Sequence, residues 1–208
     1  MLFEINELKS CLRKPVTGII HVGAHKAEEL PIYQSLGVEK VIWIEANPTL
    51  VGDIINRTIL HKGQSLHLAV AYDKDFEIIK LNIANNGESS SILELDYHKI
   101  AHPHIHYTGY VDVPSRRVDS IVIDSGYDKS NFNFMNIDVQ GAELLVLKGS
   151  TQILDDVDYI YTEVNQKSLY KDCALIDHLD EFLKTYGFDR KYTKMTEYGW
   201  GDALYVKN

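Results

Sequence analysis

The sequence predicts one α/β domain: a mostly parallel sheet flanked by helices, ending in a C-terminal antiparallel hairpin. Three observations predict it. Strand-length apolar runs alternate with longer amphipathic stretches, the pattern of βαβ units that cover both faces of a parallel sheet. The chain has 208 residues, 45% of them hydrophobic, enough for one sizeable core and too few for two comfortable ones. Beyond the last helical pattern lie two further β-like runs with Gly199-Trp200-Gly201 just before the second, which suits a returning strand.

The elements follow in order. Residues 1–16 read as an N-terminal helix with Glu4 and Glu7 early. They lack the basic start and continuous apolar centre of a secretory signal, which points to the cytoplasm. Strands are expected at Gly18–Val22 and at 41–45, 66–71, 134–138 and 159–163, and helices at 27–36, 49–61, 142–147 and 174–186. Gly37 and Gly187 follow the first and last helices, where a left-handed residue ends a helix. Residues 73–118 are too long for a plain connection, and their extended runs at 76–83 and 107–113 suit a β-rich insertion folded near the ligand edge. The hairpin runs are 191–195 and 203–206. No apolar run approaches the roughly 20 residues of a membrane span.

A net charge of −9 argues against duplex nucleic acid as the main ligand, because phosphate binding is driven by Lys and Arg releasing counterions. Arg116 and Arg117 adjoin, a pairing that reads as a solvated loop. Cys11 and Cys173 are isolated and read as buried, reduced thiols.

Three strand ends carry the chemistry. The first runs through His21-Val22-Gly23-Ala24-His25, a strand entering a tight turn where Gly23 lets backbone approach a ligand. The second ends in Glu45-Ala46-Asn47-Pro48, placing a carboxylate about 20 residues beyond that glycine, the spacing of a ribose-binding acid. A dinucleotide turn needs G-x-G-x-x-G, whereas here His25 and Glu28 hold the later glycine positions and Glu28-Glu29 would repel phosphate. An adenosine ligand without phosphate, S-adenosylmethionine, suits the turn better than NAD. The third strand delivers Asp138 to the same edge before Gly141; capping the next helix is its plainer reading. Glu163 ends the following strand, with a surface carboxylate as the plainer reading.

His98, His102, His104 and His106 invite a metal reading, since imidazole is a common ligand. Pro103 interrupts the run and no acid follows Asp96 within it, so a His-rich loop over the acceptor cleft is preferred and no metal is assigned.

Together these segments resemble the FkbM family of S-adenosylmethionine-dependent methyltransferases, from about Gly18 to Val206. The most specific piece is Ile137-Asp138-Val139-Gln140-Gly141-Ala142-Glu143 followed by Leu147-Lys148-Gly149; Ser89-Ser90-Ser91-Ile92-Leu93 and Arg117-Val118-Asp119-Ser120 support it. The chain departs from such methyltransferases at His21, where an acid is frequent, and at Ala27, where glycine is common. The resemblance implies a Rossmann-like class I methyltransferase fold. It also implies cofactor contacts from Gly23, Ala24 and His25 at the methionine end, from Glu45 with Ala46 and Asn47 at the ribose, from Ala69 at the adenine, and from Ser91 and Asp138. The implied reaction is O-methylation of a hydroxyl on a small natural product or glycan. Such a displacement needs alignment above all, and a base for the hydroxyl proton; Asp138, Glu163 and His104 are the candidates, in that order. A nicotinamide-dependent oxidoreductase and a non-catalytic nucleoside-binding partner are the competing expectations.

Overall fold

The computed structural model describes all 208 residues. The chain runs α1 (Ile5–Cys11), β1 (Gly18–Val22), α2 (Leu30–Ser35), β2 (Lys40–Glu45), α3 (Val51–Thr58), β3 (Gln64–Leu68), β4 (Val70–Ala71) and β5 (Ile78–Ala84). It continues α4 (His98–Ala101), β6 (Tyr107–Arg116), α5 (Val118–Asp124), β7 (Phe134–Ile137), α6 (Glu143–Lys148), β8 (Tyr159–Asn165), α7 (Ile176–Lys184), β9 (Phe188–Met195) and β10 (Trp200–Lys207). The main sheet has seven strands in the order β3-β2-β1-β7-β8-β10-β9. The first five are parallel, and β10 lies antiparallel to both β8 and β9, which forms the expected terminal hairpin.

Every residue of β1, β7 and β8 is buried, because helices cover both sheet faces and each strand must be apolar on both sides. Alternate side chains go to opposite layers. Ile20, Ile42, Met135 and Ile160 join the layer beneath α5, α6 and α7, while Ile19, Val41, Phe134 and Tyr159 join the layer beneath α1, α2 and α3. No helix is long and apolar enough to cross a membrane.

The strand expected over 66–71 is two strands in two sheets. Ala69 N–H still donates to Glu45 O (3.0 Å), but the chain then leaves the main sheet and Val70 and Ala71 pair with Ser115 and Arg116 of β6. The result is a second sheet, β4-β6-β5, whose β5 and β6 come from the 73–118 insertion. Isolated bridges Asn82–Ser91 and Leu95–Tyr170 tie that insertion to itself and to the segment after β8.

Other bounds are narrower than the sequence pattern implied. The helix over 27–36 begins at Leu30, because Ala27 takes a left-handed φ of 57° and Pro31 suits only a first turn. Those over 49–61 and 174–186 shrink to α3 and α7, that over 142–147 shifts to α6, and the N-terminal helix over 1–16 to α1. Helix α5 was not expected; its Val-Ile-Val-Ile content is β-favouring. Burial of Val118, Ile121 and Val122 overrides that preference, and Asp119 anchors the helix by accepting from Gln152 N (3.1 Å) and Ile153 N (3.0 Å). The adjoining arginines are not a solvated loop: Arg117 pairs with Asp119 at 2.7 Å, and Arg116 bridges Asp75 and Asp124. Cys11 and Cys173 are free and buried, as expected.

Candidate active site

The turn after β1 is where two strand ends touch. A Cβ added to Gly23 would stand 1.8 Å from the Asp138 carbonyl oxygen, and its φ is +82°, so only glycine fits. Gly23 N and Ala24 N both donate to Ile44 O (2.9 and 3.1 Å), which locks the turn against β2. His25 and Ala27 then adopt φ of 45° and 57°, left-handed values that cost an alanine about 1–2 kcal/mol. This is the physical reason a glycine would be favoured at Ala27.

Glu45, at the tip of β2, accepts His25 N–H on Oε2 and Asn47 N–H on Oε1, both at 2.7 Å. Each oxygen keeps a free lone pair, so the carboxylate can still take two ligand hydroxyls. Burial pushes its pKa up, while the two N–H donors pull it back.

Two joined cavities open here. A narrow cleft of about 80 Å³ is lined by Gly23, His25, Glu45, Ala46, Asn47, Ala69, Ser91 and Asp138. A larger cavity of about 510 Å³ is lined by Asp138, Glu163 and His104 among others, and shares Gly23, His25, Glu88, Asp138 and Gln140 with the cleft. The structure thus brings together every expected site residue except Ala24, which is wholly buried behind the turn. Ser91 is already engaged: its hydroxyl donates to Gln140 O (2.7 Å) and accepts from Leu93 N (3.0 Å).

Asp138 does not cap α6, whose N-cap is Ala142 without a side-chain bond. Its carboxyl stays open to solvent in the cavity, so the upward push from the surrounding walls and from Asp202, opposed by the Gln140 amide, is softened by that exposure. Glu163 is buried, not a surface group, and burial with Asp138 beside it raises its pKa well above the ordinary range. Gln140 Nε2 donates to both acids, at 2.7 Å to Asp138 Oδ1 and 2.9 Å to Glu163 Oε2. From beneath, Glu143 Oε1 accepts the N–H groups of Val139 (3.2 Å) and Gly141 (3.0 Å), bracing the turn.

His21 was visible only as a departure, and the structure gives it a part. Asn136 Nδ2 donates to Tyr33 Oη (2.7 Å) and lies 3.5 Å from His21 Nε2, while the Tyr33 hydroxyl meets His21 Nδ1 at 3.0 Å, so the ring is held at both nitrogens. Burial lowers its pKa to about 3, so the ring that lines the larger cavity is neutral.

On the far side stand His98, His102 and His104. His98 is held down to about 4 by burial and then by His102, and His102 is lowered by burial and by His104. No three His, Cys, Asp or Glu side chains come together in a metal-binding arrangement. His106 lies outside the cavity lining. Gln140, Tyr170, Glu29, Asp202 and Trp200 also line the cavity and were missed, although Gln140 sits inside the most specific motif.

The chemistry of this lining fits S-adenosylmethionine. Glu28, Glu29, Glu88, Asp138, Glu163 and Asp202 face the larger cavity, with no Lys or Arg among its 24 lining residues, so a sulfonium is favoured and a pyrophosphate is not. The Gly23 corner admits a ligand against backbone, and Glu45 has capacity for a ribose.

Solved structures agree on the fold. Streptococcus pneumoniae Sp1610 in complex with S-adenosyl-L-methionine superposes with a TM-score of 0.54 at 11% identity, over 98% of this chain and 72% of that one. TrmK of M. capricolum with S-adenosyl-homocysteine gives 0.51 at 8% identity, over 100% of this chain and 69% of that one. A curated relative, the 2-O-methyltransferase NoeI of Sinorhizobium fredii (strain NGR234), is 31% identical over 98 residues, which is 45% of this chain. The match spans only 40% of that relative's length. The model of the methyltransferase FkbM domain matches residues 21–190, from the end of β1 to the start of β9. With the glycine corner, Glu45 and the Asp138 turn all inside that match, the chain belongs to the FkbM methyltransferase family.

Proposed function

We propose that this protein transfers a methyl group from S-adenosylmethionine to a hydroxyl of an uncharged carbohydrate or natural-product acceptor. The observation that carries this reading is the larger cavity: it begins at Asp138, beside the cofactor cleft, and is acidic, polar and without a basic side chain. Trp200 supplies a flat face there, and His98, His102 and His104 supply hydrogen-bonding imidazoles, a lining suited to a polyol. An anionic acceptor, a nucleic acid included, would meet a wall of six acidic side chains with no Lys or Arg to offset them. The partial alignment with a 2-O-methyltransferase supports oxygen as the acceptor atom.

When bound, the cofactor supplies an electrophilic methyl whose bonding pair departs with sulfur as a neutral thioether. The protein's own residues do the rest. Glu45 would hold the ribose hydroxyls and the chain around Ala69 the adenine, with His21 lining the larger cavity beside them. Asp138 would accept the acceptor's hydroxyl proton as the acceptor oxygen bonds to the methyl carbon, from its place where the cleft and the larger cavity meet. The wall of α4 and the Ser91 loop would exclude water from the line of transfer.

Calorimetry tests the cofactor: S-adenosylhomocysteine binds and NAD does not, whereas the reverse sinks the reading in favour of an oxidoreductase. Transfer of labelled methyl to a panel of neutral, amino and uronate oligosaccharides then tests the acceptor, with incorporation expected in neutral or amino sugars. Cofactor binding with labelling confined to uronates overturns the uncharged-acceptor assignment; cofactor binding with no labelling of any acceptor leaves the nucleoside-binding partner standing.

A further inference from the structure

The two acids at the head of the cavity are joined by one side chain whose orientation a third residue decides. Gln140 occupies a left-handed position (φ 57°) in the turn between β7 and α6, which swings its amide back over Asp138 and toward β8. The Tyr170 hydroxyl donates to Gln140 Oε1 at 2.6 Å. Burial keeps that phenol protonated, so it remains a donor throughout the accessible pH range. With Oε1 occupied, both Nε2 hydrogens face the carboxylates, at 2.7 Å from Asp138 and 2.9 Å from Glu163. The reversed amide would turn its oxygen on both acids. The backbone is pinned as well, because Ser91 donates to Gln140 O (2.7 Å), and Tyr170 and Cys173 pack within 3.1 Å of the Cβ position at Gly141.

We propose that Gln140, locked in one amide orientation by the Tyr170 hydroxyl, is a positioning residue that clamps Asp138 and Glu163 at the methyl-acceptor cavity and keeps Asp138 the ionised member of the pair. The inference rests on the methyltransferase reading only for the purpose of the pair; the clamp itself is a property of the folded chain. The physical case is that two carboxylates brought together repel, and one is driven to hold a proton. A shared amide donor stabilises the charged form of each acid it touches. Asp138 has the shorter bond and gains more. Glu163 is hemmed by more acids and keeps the proton, leaving Asp138 free to accept one.

Other groups face the pair: Glu29 from the turn before α2, Glu143 from α6, Asp202 from β10, His21 from β1, Tyr161 from β8, and the α-amino group of Met1. Only Gln140 donates a hydrogen bond to both members, so only its loss should move both titrations in the same direction.

Carboxyl-carbon NMR titration of the full chain with S-adenosylhomocysteine bound tests the clamp, the two signals being assigned with Asp138→Asn and Glu163→Gln. Tyr170→Phe removes one oxygen and frees the amide to rotate; Gln140→Leu removes the donor outright. Both are expected to raise the Asp138 titration by about one unit, a tenfold gain in proton affinity, and the double variant to shift no further than Gln140→Leu alone. Gln140→Asn, which tolerates the left-handed backbone but is one methylene shorter, should fold and show the same rise should Gln140→Leu fail to fold. An Asp138 titration unmoved in folded Tyr170→Phe and in a folded Gln140 variant overturns the clamp, as do additive shifts in the double variant. Retained S-adenosylhomocysteine binding in those variants separates such a failure from failure of the methyltransferase reading, which would show as no binding by the parent protein.

Discussion

Replacing Glu45 by Gln keeps shape and removes one acceptor, and the structure sets what that costs. His25 N–H and Asn47 N–H each lie 2.7 Å from a different carboxylate oxygen. An amide offers only one oxygen, so one buried N–H must face an NH₂ group. That orphaned donor costs roughly 1–3 kcal/mol of stability. For a domain of this size each kcal/mol lowers Tm by about 2–4 °C. On the ligand side, a charge-assisted hydrogen bond to one ribose hydroxyl is lost, about 1.5–3 kcal/mol or a roughly 10- to 150-fold rise in Kd for S-adenosylhomocysteine. Calorimetry at neutral pH, with unfolding followed in parallel, measures both effects. A 2′,3′-dideoxy analogue of the ligand is the control: it should bind the parent weakly and lose little further in Glu45→Gln. If the folded variant binds S-adenosylhomocysteine within about twofold of the parent, Glu45 is not the ribose acid and this reasoning is refuted.

The remaining predictions touch the turn, the buried acids and the acceptor wall. Gly23→Ala forces a Cβ 1.8 Å from Asp138 O in a left-handed position, so a loss of at least about 2 kcal/mol is expected, seen as a Tm lower by about 4–8 °C, together with weaker cofactor binding; unchanged melting would show that the corner relaxes freely. Glu143 is raised by burial to about 7 in the fold, above its unfolded value, so the stability tied to its protonated form is present in acid and lost as pH rises through about 7. Glu143→Gln keeps both backbone bonds on its oxygen and removes the charge; it should melt higher than the parent at pH 8, by the equivalent of about 1–3 kcal/mol, and equal to it near pH 4. A gap that is widest in acid would contradict that assignment. His98→Ala should leave S-adenosylhomocysteine affinity within about twofold while reducing methyl transfer at least about tenfold through a higher acceptor KM, and an unchanged KM would remove the imidazole wall from acceptor recognition.

Much of the fold was written in local pattern. Buried strands such as Gly18–Val22 announce themselves as uninterrupted apolar runs, and the acids Glu45, Asp138 and Glu163 stand out because each ends such a run. What was hidden depends on contacts between distant residues. Ala69 looks like the middle of a strand, yet the chain changes sheets there because Ser115, far along the insertion, offers a better partner to Val70. Helix α5 has the composition of a strand and is helical because Asp119 and the sheet face demand it. His21 reads as a missing acid until Tyr33 and Asn136 are seen to hold its ring. Tyr170 carries no motif at all, and its bond to Gln140 spans 30 residues.

The Ser91 bond to the Gln140 carbonyl has a bearing on how such enzymes diversify. It fastens the 73–118 excursion directly to the corner that presents Asp138. Grafting that excursion from one relative onto another would therefore act, through the same rivet, on the placement of that carboxylate. Successful chimaeras should be those that keep a hydroxyl opposite that main-chain carbonyl.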